Sequence, residues 1–396
     1  MVDAGKMSLS HQIVLILDDD IMVTEGLSAS LARAGRTIVT CNDLESAELV
    51  TEWIKPSHVV SDVRLTGPFA YEGLDFIRFV KRSAPDTRVI LMTGEAPDAL
   101  QLEASERGAV GFLQKPFETA ELDATLDLLA PARPGSSDWP EIIRVPLLDE
   151  ILESDALTSV FQPIVSLAGR IPLGFEALAR FQTDSLLRNP ETLFEYASRK
   201  LRVADLESAC IRSSFRSGAV LAQSYPLFIN IHPSVFAKGD RLLDELRAGS
   251  EAAGFGLEKI VLEITEQASL GDRRQVLGTI DRLKQARVRF AFDDVGVAYS
   301  HLPFIDAVRP AFLKISQHFG TNFESDPTKT KLVRNLLALA RDFDCELILE
   351  GIESEATAVA AAEIGINFGQ GYHFSRPAPA SYFRSSQLAG VSSDAT

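Results

Sequence analysis

The chain has 396 residues, 46% hydrophobic and 24% charged, which excludes a fibre or a disordered polymer and exceeds one ordinary core, so two or three domains are expected. Its 39 basic and 55 acidic residues leave a net charge of −16. Affinity for a nucleic-acid polymer comes from clustered cations neutralising phosphates, so that class of partner is excluded, and any phosphate ligand needs help from metal ions.

In chain order, the first strongly apolar run is Ile13 to Leu17, ending in Asp18, Asp19 and Asp20. It is neither a signal peptide nor a membrane span, so no membrane partner is expected. Four more apolar runs follow, Thr37–Cys41, His58–Ser61, Val89–Met92 and Val110–Leu113, each trailed by a helical pattern. Val23, Leu27 and Leu31 show the helical spacing of the first connection. These five β/α units predict a doubly wound, flavodoxin-like parallel sheet over residues 11–129. Acidity is densest here, with 11 basic and 21 acidic residues in the first 130, a net of −10. Residues 130–144, opening with Ala130-Pro-Ala-Arg-Pro-Gly-Ser-Ser-Asp-Trp-Pro140, read as an interdomain linker.

Beyond the linker, Leu227-Phe-Ile-Asn230, Ile260-Val-Leu-Glu263, Phe290-Ala-Phe-Asp-Asp294, Phe312-Leu-Lys314 and Leu347-Ile-Leu-Glu350 are strands that each finish in a polar residue. A (β/α)₈ barrel keeps its chemistry at such strand ends, so a TIM-barrel-like domain is predicted over 145–385, with 386–396 a disordered tail. Cys41, Cys210 and Cys345 stand far apart with no CxxC or Cys/His spacing. That excludes a disulfide framework or a zinc site and fits a cytoplasmic location.

In the first domain Asp18, Asp19, Asp62, Thr93 and Lys115 all fall at strand ends, which a doubly wound sheet brings to one crevice. Three carboxylates gathered there repel one another unless a divalent cation sits among them, and hard oxygen ligands select Mg²⁺. Asp62, with a metal and Lys115 to neutralise an incoming phosphoryl group, is then a carboxylate nucleophile. With these residues in this order, the first 129 residues resemble a response-regulator receiver domain. The resemblance implies one Mg²⁺ at Asp18 and Asp19, phosphorylation of Asp62 by a sensor histidine kinase, phosphoryl contacts from Thr93 and Lys115, and an aromatic switch at Phe112. Where the family usually has Asp-x-x-Met-Pro-Gly-x-x-Gly, this chain reads Asp62-Val-Arg-Leu-Thr-Gly-Pro-Phe-Ala-Tyr-Glu-Gly73, three residues longer.

In the second domain Glu176, Asn230, Glu263, Asp293, Asp294, Lys314, Glu350 and Gln370 give one barrel face five carboxylates, two amides and a lysine. So many carboxylates cannot share a dry pocket without counter-charge. Two divalent cations are the natural solution, and such pairs catalyse in-line displacement at phosphorus. Asp293, beside Asp294, is placed to bridge both ions.

The stretch from about 145 to 385 resembles the EAL-domain cyclic-di-GMP phosphodiesterases. The match rests on Phe161-Gln-Pro-Ile-Val, Glu176-Ala-Leu-Ala-Arg180, Asn230, Leu262-Glu-Ile-Thr-Glu266, Asp293-Asp294, Lys314-Ile, Glu350-Gly-Ile-Glu353 and Gln370-Gly-Tyr-His-Phe-Ser-Arg-Pro377. It implies Glu176, Asn230, Glu263, Asp293 and Asp294 as ligands of two Mg²⁺ or Mn²⁺ ions, with Glu350 and Gln370 completing the site. Lys314 is implied to orient or deprotonate the attacking water, Arg180 and Gln370 to hold the dinucleotide, and Glu266 to support the loop after the aspartate pair. The implied reaction is hydrolysis of cyclic-di-GMP to linear pGpG, in a homodimer.

Two departures stand out. The family's Asp-Asp-Phe-Gly-Thr-Gly-Tyr-Ser-Ser-Leu reads Asp293-Asp-Val-Gly-Val-Ala-Tyr-Ser-His-Leu302 here, and Ser316 replaces the aspartate of Lys-Ile-Asp. The expectation is a phosphodiesterase controlled by phosphorylation of Asp62. The altered loop 295–301 and Ser316 keep an alternative in view, a receptor that binds cyclic-di-GMP without cleaving it and signals through protein contacts.

Overall fold

A computed structural model describes residues 11–65, 72–94, 98–129, 139–153, 156–182, 186–265, 273–296 and 302–383. They form two compact units, one running to Ala156 and taking in Phe181–Leu201, the other comprising Leu157–Arg180 and the chain from Arg202 onward.

The first unit alternates β1 (Gln12–Leu17), α1 (Ile21–Leu31), β2 (Arg36–Cys41), α2 (Leu44–Ile54), β3 (His58–Asp62), α3 (Glu72–Ser83), β4 (Arg88–Thr93), α4 (Asp98–Arg107), β5 (Ala109–Gln114) and α5 (Thr119–Leu128). The strands pair in parallel, and Val14, Ile16, Ile38, Val60, Ile90 and Met92 are buried in one cluster. Such continuous apolar strands are what a sheet covered on both faces requires. Asp20 and Asp43 cap α1 and α2, accepting from the backbone N–H groups of Met22 and Ser46, so each strand-end acid also starts the next helix.

Two boundaries differ from the sequence expectation. Ile142–Arg144, placed in the linker by its Pro-rich context, form β6 and pair in parallel with β2. The five receiver strands form the sheet as expected, and β6 adds a sixth at its edge, in the order β5-β4-β3-β1-β2-β6. A short helix α6 (Leu148–Glu153) follows. Phe181–Leu201, expected with the barrel, also belong to this unit. There α7 (Pro190–Arg199) starts at an Asn189 cap with proline in its first turn. Its Tyr196 is fully buried and donates its hydroxyl hydrogen to Asp43 at 2.6 Å, and Arg199 pairs with Glu48 at 3.1 Å. Within the Asp62–Gly73 segment, three residues longer than the family pattern, residues 66–71 lie outside the described residues.

His58, fully buried on β3, has Nδ1 at 3.0 Å from Ser57 Oγ and Nε2 at 3.2 Å from the Leu129 carbonyl. Burial pushes its pKa down to about 4. Between pH 6.5 and 4 the unfolded chain takes up a proton that the folded chain refuses, so stability is lost as pH falls, by up to about 3 kcal/mol. Urea midpoints measured across this window are expected to fall more steeply for the wild type than for His58→Gln.

The second unit is a closed barrel of eight strands, β7 (Leu157–Ser166), β8 (Pro172–Phe181), β9 (Leu227–Ile231), β10 (Ile260–Thr265), β11 (Arg289–Val295), β12 (Phe312–Ile315), β13 (Glu346–Leu349) and β14 (Phe368–Gly369). Around it lie α8 (Val203–Ala222), α9 (Asp240–Ala252), α10 (Arg273–Gln285), α11 (Leu302–Val308), α12 (Gln317–Gly320), α13 (Pro327–Asp342) and α14 (Glu355–Glu363). One strand departs from a uniform (β/α)₈ barrel, because β7 runs antiparallel to β14.

Ile164, Phe228, Val261, Ala291, Phe312 and Ile348 form an apolar layer, with Phe368 packed against it. Side chains on a strand return to the same face every second residue. On β9 through β14 the residues two positions further on are Asn230, Glu263, Asp293, Lys314, Glu350 and Gln370. The apolar layer thus closes the floor beneath a ring of polar groups at the C-terminal end of the barrel.

Candidate functional site

In the first unit, Asp18 and Asp19 follow β1, Asp62 closes β3, Thr93 closes β4 and Lys115 follows β5. Among the described residues, Asp18, Asp19 and Asp62 are the three acids whose carboxylate oxygens come within 4.8 Å of one another. Lys115 Nζ donates to Asp18 Oδ2 at 2.7 Å and to Asp62 Oδ2 at 2.8 Å. Burial pushes Asp18 and Asp19 upward against the pull of Lys115. Burial alone would lower Lys115, but its bonds to Asp18 and Asp62 outweigh that and raise it, so it is an ammonium. Three carboxylates against one ammonium leave room for a divalent cation, and an all-oxygen donor set fits Mg²⁺. Asp62 is closely backed: a Cβ on Gly73 would stand 2.2 Å from the Asp62 carbonyl oxygen, so only glycine lets α3 start there. Thr93 is buried, and Phe112 is half-buried on β5.

In the barrel, Lys314 is fully buried and stands at the centre of four carboxylates. Its Nζ lies 2.8 Å from Glu350 Oε1, 3.1 Å from Glu263 Oε1, 3.2 Å from Glu176 Oε2 and 3.4 Å from Asp293 Oδ1. Asn230 and Gln370 donate their amide hydrogens to Glu176, at 2.8 Å and 2.7 Å. Burial pushes Lys314 down, yet the surrounding acids hold it well above its ordinary value. Burial likewise raises Glu176, but Lys314 and the two amides outweigh it, and Glu176 is lowered and ionised. The other acids go the opposite way. Burial, backed by neighbouring carboxylates, raises Glu263 well above the usual range, raises Asp293, and lifts Glu350 to about 8.

One ammonium cannot neutralise four buried carboxylates, and the upward shifts record the deficit. Among the described residues, Glu263 Oε1, although near Lys314, accepts no well-formed hydrogen bond, and Gln370 Oε1 has no partner either. Buried oxygen donors without partners, in a site short of positive charge, fit divalent cations. Binding a cation must displace the proton held by Glu350. Mn²⁺ affinity, measured by calorimetry, is therefore expected to strengthen about tenfold between pH 7 and 9 and to level off above.

Asp294 differs from its neighbour. It sits in the left-handed region at φ 55°, within the register shift between Phe292 and Val295, and donates its backbone N–H to Asp293 Oδ1 at 3.0 Å. The bulge turns the two carboxylates along different directions. Arg180, at the end of β8, donates Nη1 to the Ala179 carbonyl at 2.8 Å, and among the described residues it forms no carboxylate pair. Ser316 is buried where β12 passes into α12. Close by, a Cβ on Gly320 would meet the Glu350 carbonyl oxygen at 1.7 Å, so this glycine lets α12 pack onto the strand end that carries Glu350. Glu266 and loop residues 297–301 lie outside the described residues.

One member of the cluster escaped the strand-end rule. Gln162 on β7 accepts from Gln370 Nε2 at 3.2 Å and donates to the Ser375 carbonyl at 3.0 Å. Because β7 runs antiparallel, its polar residue comes two positions before the apolar-layer residue Ile164, not two after. The Phe161-Gln-Pro-Ile-Val motif was its only signal.

The geometry agrees with relatives of known kind. Residues 14–127 match the response regulator receiver domain family, and residues 147–377 match the EAL domain family. Cyclic di-GMP phosphodiesterase RocR of Pseudomonas aeruginosa is 27% identical over 339 residues, covering 82% of this chain and 85% of RocR. Cyclic di-GMP phosphodiesterase TpdA of Vibrio parahaemolyticus is 26% identical over 213 residues, 54% of this chain and 36% of TpdA. The crystal structure of the EAL domain of Mycobacterium smegmatis DcpA superposes with a TM-score of 0.50 at 26% identity, covering 60% of this chain and 97% of that one. No helix among the described residues is long and apolar enough to cross a membrane. With more than half of its length matched, the chain belongs to the EAL domain family and carries a response regulator receiver domain ahead of its EAL domain.

Proposed function

We propose that the protein hydrolyses cyclic di-GMP to linear pGpG in the cytoplasm, as a homodimer, under the control of phosphorylation on Asp62 by a sensor histidine kinase. The observation that carries this reading is the ring of Glu176, Glu263, Asp293 and Glu350 around the buried Lys314. Glu176, Asn230, Glu263, Asp293 and Asp294 would hold two Mg²⁺ or Mn²⁺ ions, and Asp18 and Asp19 one Mg²⁺. Bound divalent cations supply Lewis-acid polarisation of the phosphodiester and an acidified water.

The chain's own groups do the rest. Glu176 is fixed in one rotamer by Lys314, Asn230 and Gln370, which preorganises the ring before substrate arrives. Lys314, held as an ammonium, orients the attacking water by donating to it. Deprotonation, the other role the family resemblance offered, does not suit a lysine whose proton is held this firmly. Arg180, without a carboxylate partner among the described residues, is available to the dinucleotide's phosphate, and Gln370 to its polar groups.

The test is incubation of purified protein with cyclic di-GMP and Mg²⁺ or Mn²⁺, with and without beryllofluoride as phosphoryl mimic, followed by separation of products. A linear product, formed at a rate that the mimic changes in the wild type but not in Asp62→Asn, supports both halves. Tight binding with no product gives the receptor reading instead, which Ser316 and the Val295–His301 loop would then explain. A rate insensitive to the mimic overturns the control by Asp62.

A further inference from the structure

The carboxylate ring occupies one end of the barrel, and a cluster of cations lines the other. Lys284, Arg287, Arg289 and Arg309 surround a cleft of about 540 Å³ at the N-terminal ends of β11 and β12, with Asp344 the one carboxylate in its wall. Arg289 opens β11, and Asp293 of the ring follows on the same strand about 13 Å further along. The cleft is therefore separate from the ring, and its volume is that of a small-molecule site.

Four cations around one cleft need a cause in a chain with a net charge of −16. Arg309 pairs with Asp306 at 2.9 Å, but among the described residues Lys284, Arg287 and Arg289 have no carboxylate within ion-pair distance. Arg289 is half-buried, and burial lowers its pKa with no neighbouring carboxylate to offset that. Its guanidinium reaches the Glu258 carbonyl at a long 3.5 Å and lies 5.7 Å from the centroid of the Phe312 ring.

Cations often sit at helix C-termini to complement the helix dipole. That accounts for Lys284, whose Nζ donates to the Val308 and Arg309 carbonyls at 2.9 and 3.3 Å and so closes α11. It does not account for Arg287. The end of α10 is already capped by its own backbone, with the N–H of Arg287 donating to the Lys284 carbonyl at 2.9 Å and that of Val288 to the Leu283 carbonyl at 3.0 Å. This cap puts residue 287 in the left-handed region, at φ 71°, where glycine is favoured. Arg309 repeats the pattern at the end of α11, at φ 47°, with its N–H on the Ile305 carbonyl at 2.8 Å. Two turns that favour glycine thus carry guanidinium groups, both in the wall of one cleft. The end of α13 is capped in the same way, the N–H groups of Asp344 and Cys345 donating to the Arg341 and Ala340 carbonyls, so helix-end carbonyls that would repel an anion are already occupied.

A guanidinium offers a phosphate paired N–H donors in a fixed plane, and three of them beside an ammonium match more negative charge than one phosphate carries. We propose that this cleft binds a compact polyanion through a diphosphate group, either inorganic pyrophosphate or the diphosphate of a nucleotide, without a metal ion. The site stands apart from the carboxylate ring and does not depend on the phosphodiesterase reading.

The experiment is calorimetric titration of the full chain with pyrophosphate, GTP and inorganic phosphate in EDTA, which suppresses metal-dependent anion binding at the two carboxylate clusters. Pyrophosphate is expected to bind at least about tenfold more tightly than phosphate, and to weaken as salt is raised. Arg289→Gln and Arg287→Gly are each expected to raise its Kd about tenfold or more. Glycine suits the turn at 287, so Arg287→Gly is expected to lose affinity with no fall in melting temperature, which separates binding from a merely structural role. GTP binding more tightly than pyrophosphate supports a nucleotide as the occupant, and equal affinities support the diphosphate alone. Pyrophosphate held no more tightly than phosphate, or a Kd unchanged in both variants, would overturn the proposal.

Discussion

Lys314→Met is expected to abolish turnover, by at least about 10³-fold, and to destabilise the metal-free protein by about 3–5 kcal/mol. The cause is local. Glu176, Glu263, Asp293 and Glu350 all lie within 3.4 Å of Nζ, and methionine fills the space without supplying charge. Glu263 and Glu350 are already pushed upward with the lysine present; without it the ring must take up further protons or fall apart. Added Mn²⁺ is therefore expected to raise the melting temperature of the variant more than that of the wild type. Calorimetric scans with and without the ion check this. A variant as stable and as active as the wild type would show that Lys314 is neither the counter-charge nor the water-orienting donor.

Glu176→Gln is the second large effect, with kcat expected to fall at least about 10³-fold, near 4 kcal/mol in the barrier. The change preserves shape while removing the charge and one acceptor. Glu176 accepts from Lys314, Asn230 and Gln370, all donors, so an amide NH₂ in its place faces at least one of them donor to donor. The metal requirement is expected to rise along with the loss of kcat. Binding of cyclic di-GMP is expected to stay within a few-fold, because Arg180, assigned to the dinucleotide's phosphate, is untouched. Rapid-quench turnover and calorimetric binding on the same preparation separate the two.

Much of this site was legible because both sheets put their chemistry at strand C-terminal ends. Asp62 and Lys115 converge on one crevice, as the order of β/α units predicted. Asn230, Glu263, Asp293 and Lys314 sit together because a period of two lifts each above an apolar partner on its own strand. Three things were hidden, each for a physical reason. Gln162 was missed because β7 is antiparallel, which reverses the order of polar and apolar residues along that strand alone. Ile142–Arg144 were read as linker because strand pairing with β2 is a non-local choice that a Pro-rich neighbourhood does not reveal. Phe181–Leu201 follow the barrel strand that carries Glu176, and nothing in their helical pattern says that they belong to the first unit, with Tyr196 packed against the Asp43 cap of α2.

Lys314 was legible as a site residue but not as the hub. Its sequence position gives one lysine among many acids, and only the closed barrel shows four of them within reach. The net charge of −16 takes on a local meaning at the two carboxylate clusters, where cations held by the acids would reverse the field that an incoming anionic phosphate group meets.

The most direct test of the central claim is chromatographic separation of products after incubating wild type and Glu176→Gln, side by side, with cyclic di-GMP and Mn²⁺. The account predicts linear pGpG from the wild type and none above background from the variant, with both proteins binding the cyclic dinucleotide. Tight binding by the wild type with no linear product, unchanged by Glu176→Gln, would contradict it.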